Sequence, residues 1–191
     1  MKLAWFLASF PLALTLATGT AAAQDDFDLG KTVAVCTTCH GEEGLPVTTD
    51  IPILWGQQFY YLYVQLKDYK AGRRANDIME TIAADFDKKQ MKALAKYFSE
   101  KPWPRITITK DSDLARRGRA EAGAGECPQC HNKYMGDSRV PRVAGQNEDY
   151  LRRTMLEFKN KVRLNSPSKS SLMKSFGDEE IKDIAHFLAT L

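Results

Sequence analysis

Cys36-Thr37-Thr38-Cys39-His40 and Cys127-Pro128-Gln129-Cys130-His131 hold every cysteine of this 191-residue chain and two of its three histidines. Each segment has the form Cys-x-x-Cys-His, the attachment pattern of a c-type haem. Two thiols about one helical turn apart bond the porphyrin, and the adjacent imidazole reaches the iron from one face. The pattern makes Cys36, Cys39, Cys127 and Cys130 the anchors of two covalently attached haem c groups, with His40 and His131 as iron ligands. A disulfide, a redox dithiol and a zinc site are the rival uses of Cys-x-x-Cys. None of them requires a histidine directly after the second cysteine in both copies.

The surroundings of the two motifs repeat. After the first come Pro52-Ile53-Leu54-Trp55-Gly56-Gln57 and a helical pattern from Phe59 to Lys70; after the second come Pro141-Arg142-Val143-Ala144-Gly145-Gln146 and a pattern from Tyr150 to Lys161. Aligning the two Gly-Gln pairs matches Tyr61-Leu62 with Tyr150-Leu151, Leu66 with Met155, and Tyr69-Lys70 with Phe158-Lys159. The apolar spacing is that of an amphipathic helix. Closing helices are expected over 87–100 and 178–191, and short opening ones over 28–35 and 112–122. Pro102 and Pro104 break the chain between the halves, and Ile106 to Thr109 follows as an extended linker. No partner strand is evident, so the fold class is all-α. A half of about 80 residues has only a small core of its own, and a haem would supply a large apolar group to pack around.

A histidine-bound haem iron has a sixth position, and what fills it separates an electron carrier from a catalyst. Met91 and Met155 fall on apolar helix faces and suit core packing. Met135 is too near His131 to cross to the far face. Met79 and Met173 lie in the segments between the middle and final helices, where a loop can cross the distal side. They are the expected ligands of the first and second haem. The second assignment rests on Met173 being the only methionine of its segment. Counted from the middle helix, Met79 matches Ser168, and counted back from the final helix it matches Lys169. Lys169 or an open position is therefore the alternative. His186 pairs with Lys96 in the repeat and is expected on the surface. The carbonyls of Pro52 and Pro141 are candidates to orient His40 and His131.

Lys2, an apolar run from Leu3 to Leu16 and Ala21-Ala22-Ala23 have the layout of a cleaved secretory signal. Its rival, an uncleaved anchor, would need the stretch 3–23 to serve as a span of roughly 20 residues, but Pro11, Thr15 and Gly19 dilute it. Loss of Lys2 lowers the formal charge of +3, and the propionates of two haems would make the holoprotein slightly acidic. No basic patch interleaved with aromatics points to nucleic acid.

At this point the chain resembles the dihaem cytochrome c4 family over nearly all of the sequence after residue 23. The resemblance rests on the two haem motifs and on Pro-x-x-x-Gly-Gln before a Tyr-Leu helix. It rests also on Lys67-Asp68-Tyr69-Lys70-Ala71-Gly72, on Asn76-Asp77-Ile78-Met79, and on the closing Leu94-Ala95-Lys96-Tyr97-Phe98. It implies a signal peptide (1–23) and two tandem class I cytochrome c domains (24–101 and 112–191) joined by a linker (102–111). It further implies a pseudo-twofold axis, His/Met iron in both haems, propionates near the domain contact, and electron transfer in the periplasm. Three departures mark the chain: Trp55 before Gly-Gln, Asn132 after His131, and the altered loop around Met173.

The resulting expectation is a periplasmic electron carrier, not an enzyme, with no small-molecule substrate. Its partners would be redox proteins: a membrane quinol-oxidising complex, and a terminal oxidase or periplasmic dehydrogenase. The alternative is a dihaem electron-accepting subunit of an enzyme complex, like that of flavocytochrome c sulfide dehydrogenase. Trp55, Tyr60, Tyr61 and Tyr63 would then form part of a docking surface, although haem-pocket packing suits them better. A catalytic role at the second haem would need a vacant or weakly held iron.

Overall fold

In the computed structural model residues 27–191 are described; the expected signal peptide, 1–23, lies outside them. The described residues form helices and no strand, with two isolated bridges, Arg74 to Arg163 and Asp137 to Val140. Helix α1 (Leu29–His40) is capped by the Asp28 carboxylate and runs through the first haem motif to its last residue. Gly41 then turns the chain at φ 85°, and a Cβ there would lie 1.9 Å from the Leu45 carbonyl oxygen. Only glycine allows that turn.

Three more helices complete the first half: α2 (Phe59–Lys70), α3 (Asp77–Ala84) and α4 (Lys88–Ser99). The Asp87 carboxylate and the Gln90 side chain form a reciprocal capping box at the start of α4. The second half holds α5 (Ser112–Ala124), α6 (Cys127–Cys130), α7 (Glu148–Lys159), α8 (Pro167–Met173) and α9 (Asp178–Ala189). Here the opening helix is interrupted, because Glu126 takes a left-handed φ of 53° and the motif starts a new short helix. Beyond His131 the backbone stays left-handed through Asn132, Lys133 and Tyr134 (φ 47°, 51° and 72°). Asparagine tolerates that region better than most residues, which accounts for His131-Asn132 in place of His-Gly.

The expected crossing loops around Met79 and Met173 are in fact helices α3 and α8. Both are too short to show a period, and both are specified at their first turn. The Asn76 side chain accepts the Met79 amide at 2.9 Å, and Glu80 reaches back to the Asn76 amide at 2.9 Å. Pro167 opens α8 with its φ already helical.

Each half has its own core. Val33, Leu62, Met91, Leu94 and Phe98 centre the first; Leu151, Phe158, Ile181, Ile184 and Phe187 centre the second. Helix packing stays within each half, and the closest crossing is α5 on α9, where a Cβ on Gly118 would lie 1.9 Å from the Asp183 carbonyl oxygen.

The halves join by an exchange of side-chain amides. Gln146 accepts the Ile53 amide at 2.9 Å and donates to the Ile53 carbonyl at 3.1 Å. Gln57 does the same for Arg142, at 2.8 and 2.9 Å. Gln57 and Gln146 are the glutamines of the repeated Gly-Gln, and Ile53 and Arg142 are equivalent as well. The Tyr61 amide donates to Ser138 O and the Tyr150 amide to Thr49 O, a further reciprocal pair. These contacts relate the halves by a pseudo-twofold axis. Residues 102–111 connect them without regular structure, and the Arg142 guanidinium lies 4.3 Å over the Trp103 ring.

Two candidate haem sites

His40 ends α1 and His131 follows α6, and both are buried. His40 Nδ1 lies 2.9 Å from the Pro52 carbonyl oxygen, and His131 Nδ1 lies 2.9 Å from that of Pro141. A carbonyl only accepts, so Nδ1 carries the proton in each ring and Nε2 keeps its lone pair for a metal. Burial holds the His40 imidazole below its ordinary pKa. It pushes His131 down to about 4, with the Lys169 charge adding to the effect. Both rings are therefore neutral and available as ligands at physiological pH.

No disulfide joins the four cysteines, and Cys39 and Cys130 are exposed. Burial pushes the Cys36 thiol up to about 11 and raises that of Cys127. Among the described residues no three His, Cys, Asp or Glu side chains converge into a metal-binding group, so the two cysteine pairs build no shared zinc site.

A second feature bears on whether haem fits. Arg74 and Arg163, equivalent in the repeat, meet at the junction of the halves and are 5% and 4% exposed. Arg74 donates to Gln65 Oε1 (3.0 Å) and Tyr150 Oη (2.9 Å). Arg163 donates to the same Gln65 oxygen (2.7 Å) and to Asn165 Oδ1 (3.0 Å). Each guanidinium also stacks on an aromatic ring, Tyr69 or Phe158. Neither has a carboxylate partner within ion-pairing distance among the described residues. Burial raises the Tyr150 phenol, and the charges of Arg74 and Arg163 outweigh that and bring it down. Two buried cations without a carboxylate partner are costly, and such a junction suits an anionic group. Haem carries propionates, so thiol pairs, neutral imidazoles and unbalanced arginines all suit it.

The other expected site residues are placed as follows. Met79 is the third residue of α3 and half-buried. Met173 ends α8 and is 2% exposed within the second core. Lys169, the third residue of α8, brings Nζ to 3.3 Å from His131 Nε2. His186 is not on the surface: it is 4% exposed, and its Nε2 accepts the Asp111 amide at 3.0 Å. Its Nδ1 faces Glu148 at 2.9 Å, so it pins the connecting segment to α7 and α9. Its repeat partner Lys96 has no such segment to hold, which is why the pairing misleads. Of the tyrosine group only Tyr60 is exposed. The amide exchange and the arginine pair escape a motif reading. Extending the repeat alignment past Tyr69 would have paired Arg74 with Arg163.

No family model matches the chain. A cytochrome c4 of Thiocapsa roseopersicina is 30% identical over 84% of this chain and 89% of its own length. A thiosulfate dehydrogenase electron acceptor of Stutzerimonas stutzeri is 30% identical over 82% of this chain and 78% of its own. The solved structure of an Acidithiobacillus ferrooxidans cytochrome c4 superposes with a TM-score of 0.75 at 29% identity, covering 83% of this chain and 99% of that one. With two helical halves, two haem motifs and this likeness along almost its whole described length, the chain belongs to the dihaem cytochrome c4 family and is an electron-transfer cytochrome carrying two covalently bound haem c groups.

Proposed function

We propose that Cys36 and Cys39 hold the first haem and Cys127 and Cys130 the second, with His40 and His131 as proximal iron ligands and Met79 as the distal ligand of the first. For the second haem, Met173 and Lys169 of α8 are the two candidates. Residues 24–101 and 112–191 form the domains, with 102–111 as the linker and the propionates at the arginine pair. The observation that carries this reading is the matched disposition of His40 and His131, each tethered at Nδ1 and open at Nε2.

When bound, the haems supply one-electron ferric–ferrous exchange. The chain does the rest. Pro52 and Pro141 fix the imidazoles, the two cores exclude water, and Arg74 and Arg163 place positive charge between the sites. Among the described residues no helix is long and apolar enough to cross a membrane. The family and the leader pattern together support a periplasmic location and redox-protein partners, a quinol-oxidising complex and an oxidase or dehydrogenase.

Similarity to a thiosulfate dehydrogenase electron acceptor favours a second reading, in which the protein accepts electrons within an enzyme complex. The two are told apart by rapid-mixing reduction of the purified holoprotein with a thiosulfate dehydrogenase, set against a quinol-oxidising complex. A free carrier is reduced and reoxidised in second-order reactions by separate partners, without turnover of its own. Reduction seen only inside a co-purifying complex supports the subunit reading. Haem content other than two per chain, or substrate turnover by the isolated protein, defeats the carrier reading.

A further inference from the structure

We propose that Lys169, rather than Met173, supplies the sixth ligand of the second haem iron, so that the two sites are unlike: His40/Met79 and His131/Lys169. The proposal rests on the reading of His131 as the proximal ligand. Three observations meet at Lys169.

The first is position. Helices α3 and α8 are equivalent elements, entered through Asn76 and Ser166. Met79 is the third residue of α3, and Lys169 is the third residue of α8. One turn further on, Ala83 and Met173 correspond, and they are 0% and 2% exposed. Matched by helix start, Met173 thus occupies the place of a core alanine, and the place of Met79 is taken by lysine.

The second is packing. Met173 belongs to the core cluster with Leu151, Phe158 and Phe176. A thioether in that surrounding is accounted for by packing alone.

The third is the contact itself. Lys169 Nζ lies 3.3 Å from His131 Nε2, the nitrogen that the Pro141 carbonyl leaves open. No carboxylate lies within ion-pairing distance of Lys169 among the described residues, so no ion pair explains why its amine is drawn inward. A primary amine is a nitrogen donor that haem iron accepts, and it lacks the thioether character that raises the potential of a His/Met haem. The second haem should therefore sit at the lower potential of the two, which gives electrons a direction within one molecule.

The test is ligand spectroscopy of the ferric holoprotein, read against haem content. The methionine-to-iron charge-transfer band in the near infrared should account for one haem of the two, with both irons low-spin. Met79→Leu should abolish that band. Met173→Leu should leave it and both potentials unchanged. Lys169→Met should raise the band about twofold and lift the lower potential. A wild-type band worth two haems, halved by Met173→Leu, overturns the proposal in favour of Met173. A high-spin second haem in the wild type overturns it in favour of an open site. Loss of the second haem's low-spin signal in Lys169→Ala, with haem content intact, is the remaining expected result; its persistence counts against lysine. If haem content is not two per chain, or His131→Ala leaves the second site's spectrum unaltered, it is the proximal assignment that has failed.

Discussion

Replacing Gln146 by alanine should cut the tie between the halves where it is driest. The side chain is 2% exposed, and its amide serves three backbone groups: Ile53 N–H, Ile53 C=O and Asn147 N–H. Ile53 is itself 1% exposed, so water reaches its orphaned groups poorly. A buried polar group left unpaired costs about 1–3 kcal/mol. Three of them set the loss at roughly 3–9 kcal/mol, a large share of a typical stability of about 5–15 kcal/mol. Because each half keeps its own core, the loss should fall mainly on their association. Denaturant unfolding of the holoprotein should then split into two transitions when followed by Soret absorbance and by tryptophan fluorescence. Gln57→Ala, which orphans the equivalent groups at Arg142, should act in the same direction, less strongly because that segment is less buried. The double variant should cost less than the sum, since the second deletion strikes an interface already loosened. A single unshifted transition in Gln146→Ala, with a loss below about 0.5 kcal/mol as for an ordinary surface change, would refute the reasoning.

Lys133→Gly should stabilise the protein by about 1 kcal/mol, since an exposed residue is held at a left-handed φ of 51° that glycine adopts freely; thermal unfolding monitored in the Soret region reads it. Gly118→Ala should destabilise by about 3 kcal/mol or more, because its Cβ would meet the Asp183 carbonyl oxygen across the α5–α9 crossing. Chemical denaturation measures the loss, and a neutral outcome would mean that the crossing can open. Arg74→Gln and Arg163→Gln each remove a buried positive charge between the haem sites. Both potentials should fall in a redox titration, because the ferric form gains most from the loss of a nearby cation.

The two haem motifs and the Pro-x-x-x-Gly-Gln repeat make the number of haems and the helical halves legible, because those residues stand at fixed spacing along the chain. Helices α2, α4, α7 and α9 carry enough turns for their periods to show. Helices α3 and α8 do not, so their segments look like loops until the caps at Asn76 and Pro167 are considered. Hence the equivalence of Met79 and Lys169 was ambiguous by one residue when counted from either neighbour, and became definite only through the helix starts. The repeat misplaces His186 for another reason: its partners, Asp111 and Glu148, come from distant parts of the chain, and nothing in its own helix announces them. The arginine pair is likewise a product of the junction, visible only once two halves are laid against each other.

The amide exchange also ties together the supports of the two candidate haem sites. Pro52, whose carbonyl steers His40, is followed by Ile53, which the second half grips through Gln146; Pro141, which steers His131, is followed by Arg142, which the first half grips through Gln57. Each imidazole is therefore aimed by a strap whose far end is fastened in the neighbouring domain. Cut apart between the halves, each would keep its own core and lose the glutamine that holds the residue next to its histidine's carbonyl partner. The orientation of each imidazole is thus tied to a contact that the opposite half supplies.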